Sequence, residues 1–279
     1  MSGIRVVADT ASDLPPEVAA AHGIVLVPLS VRFGAEELVD RRDLTPADFW
    51  SRLATSSVLP ETAAPSPGAF EEAYRRAAAD GAEGVVCVTI SSALSATFEA
   101  ARLAAESVAD TVPVRVIDSR AVSMAEGTVA IVAAELAAAG KNLDDVAAGA
   151  EAMVPRTRTY AALDTLDNLR KGGRIGAAQA LLGSMLSIKP IIQVAGGKVE
   201  AESKQRTRSK SLRYLADKVR QAAPVEHLTV LHGGAPDLDA LLDLLSDVCP
   251  RDQITVADVG AVIGTHAGPR VIGVTFAVP

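Results

Sequence analysis

The chain has 279 residues, 49% of them hydrophobic and 22% charged, which is enough apolar material for one large or two smaller folded units. Its net charge of −7 excludes a general nucleic-acid binder, which works by neutralising phosphates, and an aromatic content of 3% leaves few faces for base stacking. Two widely separated cysteines, Cys87 and Cys249, supply neither a disulfide framework nor a metal-ligand spacing.

The opening residues, MSGIRVVADTASD, lack a basic stretch followed by an apolar one. No apolar run approaches the roughly 20 residues of a spanning helix, so the sequence predicts a cytoplasmic protein. Residues 4–8 (IRVVA) predict a strand that ends in the polar turn DTASDLPP, and Pro15 and Pro16 open a helix running to His22. Residues 24–31 (IVLVPLSV) predict another strand, with Pro28 marking a lost ladder bond. Thr45 and Pro46 begin a helix as cap and first residue. Residues 59–67 predict an irregular loop, and a helix with Phe70, Ala73, Tyr74 and Ala77 on one face follows it.

Residues 84–90 (GVVCVTI) predict a buried strand, 114–118 a further one, and 124–139 a helix. Strands alternating with helices call for a parallel, helix-covered sheet. The alternation loosens near Pro155, which divides the chain into an N-terminal α/β unit, 1–155, and a C-terminal one, 156–279. In the second, residues 159–163 predict a strand and 164–173 a short helix. Residues 188–194 and 198–202 predict a hairpin, followed by a basic helix from 208 to 220. Strands near 228–231, 254–257 and 271–277, with a helix over 238–248, complete it.

Ligands of open parallel sheets sit beyond the carboxyl ends of the strands. Three polar loops fall there: 9–13, 91–97 and 118–119. The second is the densest, with five hydroxyls in nine residues from Thr89 to Thr97. One hydroxyl, from Ser95 or Thr97, satisfies the following helix as a cap, and the others are free to hold an anion. A nucleophilic Ser92 or Ser95 needs a base, and His266 in GTHAGP, a tight glycine-flanked loop, is the best candidate. No G-x-S-x-G flanks the serines. The run KGGRIG, with Arg206 in a second basic stretch, carries a weak phosphate signal. Nucleotide-binding motifs and metal-ligand spacings are missing from the sequence.

Seven segments in order, across nearly the whole chain, resemble the DegV family of fatty-acid-binding proteins. They are VVADTASDLP, LPETAAPSPGAFEEAY, ISSALSATFEAA, VIDSRAVSMAEG, LDNLRKGGRI, LSIKPIIQVAGGKVEAESKQRTRSK and IGTHAGP. The resemblance implies a two-domain α/β fold, a parallel-sheet N-terminal domain and a mixed-sheet C-terminal one, with one long-chain fatty acid between them. It further implies that Thr62, Ser92 and Ser95 hold the carboxylate beside His266, with Arg174 and Arg206 at the tunnel mouth or a partner-facing surface. No cofactor is implied; the ligand is an acid of roughly C14 to C18. The implied partner is a fatty acid kinase that makes the acyl phosphate with ATP, and transient membrane contact fits such a carrier. A serine-type acyl hydrolase or transferase, using Ser92 or Ser95 with His266, is the alternative. The sequence departs from the family pattern at Ala96 (usually glycine), at Ala63 and Ala64 (usually Ser-Gln), and at Arg270, where a small residue is usual and a cation is expected near His266.

Overall fold

The computed structural model describes residues 3–181 and 188–279. Strand β1 (Ile4–Asp9) leads through a short turn of 3-10 helix and α1 (Pro16–Ala21) to β2 (Ile24–Val27). The predicted strand over 24–31 is two strands. The chain breaks at Pro28, which has no amide to continue the ladder, and β3 (Ser30–Phe33) begins a separate antiparallel sheet. That sheet has the order β4-β3-β5, with β4 spanning Glu36–Val39 and β5 spanning Glu61–Ala63. Strand β5 lies inside the stretch expected to be irregular. Three residues carry no readable period, so its pairing of Thr62 with Val31 is a tertiary fact.

Between β4 and β5 runs α2 (Pro46–Thr55), held at its start by a reciprocal Thr45–Asp48 cap. Then follow α3 (Pro67–Ala79), β6 (Gly84–Thr89), α4 (Thr97–Ser107), β7 (Val114–Asp118), α5 (Met124–Ala138) and α6 (Leu143–Met153). The main sheet has the order β2-β1-β6-β7 and every pairing is parallel. Its order reverses between β1 and β6, the position at which such sheets open a crevice for ligands.

The rest of the chain builds a second sheet from β8 (Thr157–Ala162), β9 (Lys189–Ala195), β10 (Lys198–Gln205), β11 (Glu226–His232), β12 (Thr255–Asp258) and β13 (Ile272–Ala277). Its order is β10-β9-β8-β13-β11-β12, antiparallel except for β11 with β12. Helix α7 (Asp167–Lys171) follows β8, α8 (Arg208–Ala222) and α9 (Leu238–Leu245) flank β11, and α10 (Ala261–Ala267) sits between β12 and β13. Helix α8 covers one face of this sheet through Leu212, Leu215 and Val219.

Helix α5 explains how the two sheets are joined. It is apolar nearly all round, the mark of a helix with protein on every side. It packs on β1 and β6 and also on β8, β11 and β13. One apolar cluster therefore runs from Val6 and Val88 through Val129 and Ala133 to Ile192 and Leu231. The first two residues of the LSIKP segment, Leu186 and Ser187, lie outside the described residues.

Candidate functional site

The three polar loops meet at the carboxyl edge of the parallel sheet because β1, β6 and β7 are neighbours there. Asp9, the last residue of β1, takes the amide of Ile90 at 2.8 Å on one oxygen and that of Ala11 at 2.9 Å on the other. This fixes the start of the hydroxyl loop against its neighbour strand. Ser91 is buried and donates to the Gly197 carbonyl at 2.7 Å, tying the loop to the β9–β10 turn. Ser95 bonds the Thr97 hydroxyl at 2.8 Å and accepts the Thr97 amide at 3.3 Å, a local turn just ahead of α4. The capping position itself is Ala96, which has no polar side chain to cap with, so the expected hydroxyl cap is not formed.

The structure does not bring Ser92 to this group. Its side chain is exposed and donates to Asp118 at 2.5 Å, while its amide bonds the other Asp118 oxygen at 3.1 Å. Ser92 thus anchors the loop to the end of β7, on the outside.

Beneath the loop lies a cavity of about 190 Å³, the space open to the centres of water-sized spheres, which is many times what one ordered water needs. Its walls come from both sheets and from α10: Leu94 beyond β6, Leu29 before β3, Ala161 and Ile192 from the mixed sheet, and Val262 from α10. Thr62, Ser95, Ser123, Thr159, Arg174 and His266 supply its polar points, and Ala64 and Ala96 also line it. Arg206 is exposed just beyond β10 and does not line the cavity.

Thr62 and His266 are in contact. Thr62 Oγ1 lies 2.9 Å from His266 Nε2, joining β5 to the last turn of α10. His266 is expected in a loop, but glycines 264 and 268 do other work. A Cβ at residue 264 would sit 2.6 Å from the Phe49 ring, so Gly264 lets α10 press on α2, and Gly268 ends the helix. The ring is half-buried with its Nδ1 enclosed and without a hydrogen-bond partner among the described residues. Burial, and then the charge of Arg174, push the His266 pKa down to about 4, so the ring is neutral at pH 7. A buried orphan N–H is rarer than a buried bare acceptor. The proton therefore sits on Nε2, is donated to Thr62, and leaves the Thr62 hydroxyl to donate into the cavity.

The KGGRIG run finds its use here. A Cβ at residue 172 would lie 2.3 Å from His266 Nδ1, so glycine makes room for the ring. Arg174 donates to the carbonyls of Leu94 at 3.1 Å and Gly172 at 2.7 Å, clamping this turn to the hydroxyl loop. The cation beside His266 is thus Arg174. Arg270 does not supply it: its guanidinium points to Asp164, 3.6 Å away, in a cluster with Arg208 and Lys189.

Neither Ser92 nor Ser95 has His266 as a hydrogen-bond partner among the described residues, and no acid orients the ring through Nδ1. Among those residues no three or more His, Cys, Asp or Glu are arranged to hold a metal ion, and no helix is long and apolar enough to cross a membrane.

A second set of residues, in the ADTASD and DSRAVS segments, supports the cavity from behind. Asp13 is buried; one oxygen takes the Ser123 hydroxyl at 2.5 Å and the other the Gly260 amide at 2.9 Å, with Arg41 Nη2 at 3.9 Å. Burial outweighs these contacts and raises Asp13 to about 7; Asp9 is raised to about 7 in the same way. Glu126 on α5 is fully buried, and neither of its oxygens lies within normal hydrogen-bond geometry of a partner among the described residues, which a charged carboxylate could not bear. Burial and the neighbouring Asp9 and Asp13 push its pKa well above the usual range, so the neutral acid sits beside Asp9. The sequence flags the 9–13 loop as polar but gives no sign that Ser123 lines a cavity.

Comparison with known proteins agrees with this architecture. Residues 3–278 match the family model described as "Uncharacterised protein, DegV family". A DegV domain-containing protein of Streptomyces coelicolor is 42% identical over 277 residues, covering 97% of each chain. Among solved structures, a DegV family protein from Thermus thermophilus, described as fatty acid binding, superposes with a TM-score of 0.90 at 32% identity over the whole of both chains. DegV from Bacillus subtilis, described as a fatty acid binding protein, gives 0.87 at 29% identity, also over both whole chains. Matched from its third residue to its last but one, the chain belongs to the DegV family.

Proposed function

We propose that this protein binds one long-chain fatty acid in the cavity between its sheets, with the carboxylate at the Thr62–His266 end. The observation that carries this reading is an apolar cavity walled by both sheets and α10, with Thr62, Ser95, Arg174 and His266 among its few polar lining residues. A carboxylate taken from water needs donors at hand, or desolvation keeps it out. Thr62 offers a hydroxyl, Ser95 a second, and Arg174 a charge, while the neutral His266 leaves the anion without a tight ion pair. Affinity comes from the chain: about 15 methylenes at roughly 0.8 kcal/mol each give on the order of 12 kcal/mol before association costs are subtracted. The relatives from Thermus thermophilus and Bacillus subtilis, both described as fatty acid binding, support the ligand class.

On this reading residues 1–155 and 156–279 are two units that close on the acyl chain, and the protein is a carrier that presents the carboxylate to a fatty acid kinase. Arg206, exposed near the basic start of α8, faces that partner. Native mass spectrometry with mild lipid extraction tests the binding. A stoichiometric acid of roughly C14 to C18 is expected, and no retained or exchangeable acid ends the proposal. A coupled assay with a fatty acid kinase and ATP tests the carrier role, with acyl phosphate as the expected product.

A further inference from the structure

We infer that Asp13 is a positioning residue of the cavity: its carboxylate takes the Ser123 proton, leaves Ser123 with no proton to donate into the cavity, and so orients a bound carboxylate toward Thr62 and His266. This rests on the acyl reading of the cavity given above. The geometry comes from helix α10. Its first turn is fixed by the Gly260 amide on Asp13, and His266 lies six residues further on. At about 1.5 Å per residue these points are roughly 9 Å apart along the helix. Ser123 is bonded to the same Asp13 carboxylate, so it lines the cavity at the far end of α10 from His266.

An apolar cavity with one hydroxyl, Thr62, beside His266 and another, Ser123, toward the opposite end of α10 would accept a carboxylate either way round. Asp13 removes that ambiguity. A carboxylate only accepts, so the 2.5 Å contact commits the Ser123 proton to Asp13 and leaves Ser123 showing lone pairs to the cavity. Lone pairs repel a carboxylate. The methyl end of an acyl chain meets no such penalty there.

The arrangement is proton-linked. When Asp13 is protonated it donates to Ser123, whose own proton is then free to point into the cavity. With its pKa raised to about 7 by burial, Asp13 divides between the two forms near neutral pH. The charged and titratable groups facing it are Arg41 and Asp40 beyond β4, Asp9 at the end of β1 and Glu126 on α5. Asp258 of β12 and Glu17 of α1 share with Asp13 and Arg41 the lining of a cleft on the outer side. Arg41 favours the charged form; the acids oppose it.

The variant Asp13→Asn keeps an oxygen for Gly260 and turns an NH2 toward Ser123, which reverses the Ser123 bond without opening a hole. Palmitic acid carrying ¹³C at the carboxyl, bound to the protein, reads the orientation by NMR. At a pH well above the Asp13 midpoint, where its carboxylate is charged, the wild type should show one bound carboxyl resonance, D13N two, and the double variant D13N/S123A one again. In the protein without lipid, the Gly260 amide shift should titrate with a midpoint near 7 in the wild type. That titration should be lost in D13N, and S123A should move its midpoint up by roughly one pH unit, the effect of losing one hydrogen bond to a charged acceptor. A single D13N carboxyl resonance at the wild-type position, or a Gly260 midpoint unmoved by S123A, overturns the inference. If the wild type itself binds no palmitic acid, the acyl reading falls, and the Gly260 titration still decides whether Asp13 directs Ser123.

Discussion

A Cβ built on residue 172 would lie 2.3 Å from Nδ1 of His266. Two segments almost a hundred residues apart thus share a space that fits a glycine and an imidazole together. Gly172 has ordinary helical torsions, so the need is for room and carries no backbone strain. Gly172→Ala should push the ring off its line to Thr62, lower stability by about 1–3 kcal/mol through overpacking, and weaken acid binding. Denaturant unfolding and fatty acid titration of the same variant check it. Unchanged affinity would mean that the ring position does not matter to the ligand.

Thr62 stands between the ring and the cavity, accepting from Nε2 and free to donate onward. Thr62→Val keeps the shape and removes both bonds. The expected loss in acid affinity is about 1–3 kcal/mol, roughly 5- to 150-fold, because an enclosed carboxylate and an N–H both lose a partner. Thr62→Ser should restore most of it. If valine and threonine bind equally, the headgroup lies elsewhere.

The two serines of the hydroxyl loop should separate cleanly. Ser95 lines the cavity, and Ser92 is turned out onto Asp118. Ser95→Ala is expected to weaken fatty acid binding by about 1–2 kcal/mol. Ser92→Ala should leave affinity within about twofold while loosening the loop, seen as faster amide exchange around residues 92–94. An affinity loss confined to Ser92→Ala would refute this assignment.

That contrast also measures what the sequence could show. The parallel sheet was legible because β1, β6 and β7 are short, apolar and bounded by turn residues, and α5 because it is apolar over nearly its whole length. The hydroxyl loop was legible as a place, at a strand end before a helix, but the direction of each hydroxyl was not. Whether Ser92 or Ser95 faces inward depends on Asp118, 26 residues away and brought alongside by β7. Strand β5 escaped notice because three residues show no period, yet it delivers Thr62. His266 read as a loop residue because glycines on either side suggest a turn. In fact Gly264 serves the contact of α10 with Phe49 on α2. Helix α6 was missed because its alanine-rich sequence follows α5 with only a short break at Gly140.

The pH dependence of stability carries two opposite signs, which makes it diagnostic. His266 titrates near 4 in the folded protein, below its ordinary 6.5, so between these values the unfolded chain binds a proton that the folded one refuses. Its contribution is therefore complete above about pH 6.5 and is lost as the pH falls toward 4, with a slope of at most about 1.4 kcal/mol per pH unit. Asp13, raised from 3.8 to about 7, acts the other way. The folded protein keeps its proton while the unfolded chain releases it, so this contribution is complete below about pH 4 and is lost as the pH rises toward 7. Replacing each group should remove its own arm of the profile. His266→Gln should gain on the wild type as the pH is lowered from 6.5 to 4.5, and Asp13→Asn should gain as it is raised from 4.5 to 7. Urea unfolding of the three proteins at intervals across this range supplies the curves. Profiles that run parallel throughout would show that neither group changes its protonation equilibrium on folding, and with that the neutral ring and the proton-linked Asp13 would both be lost.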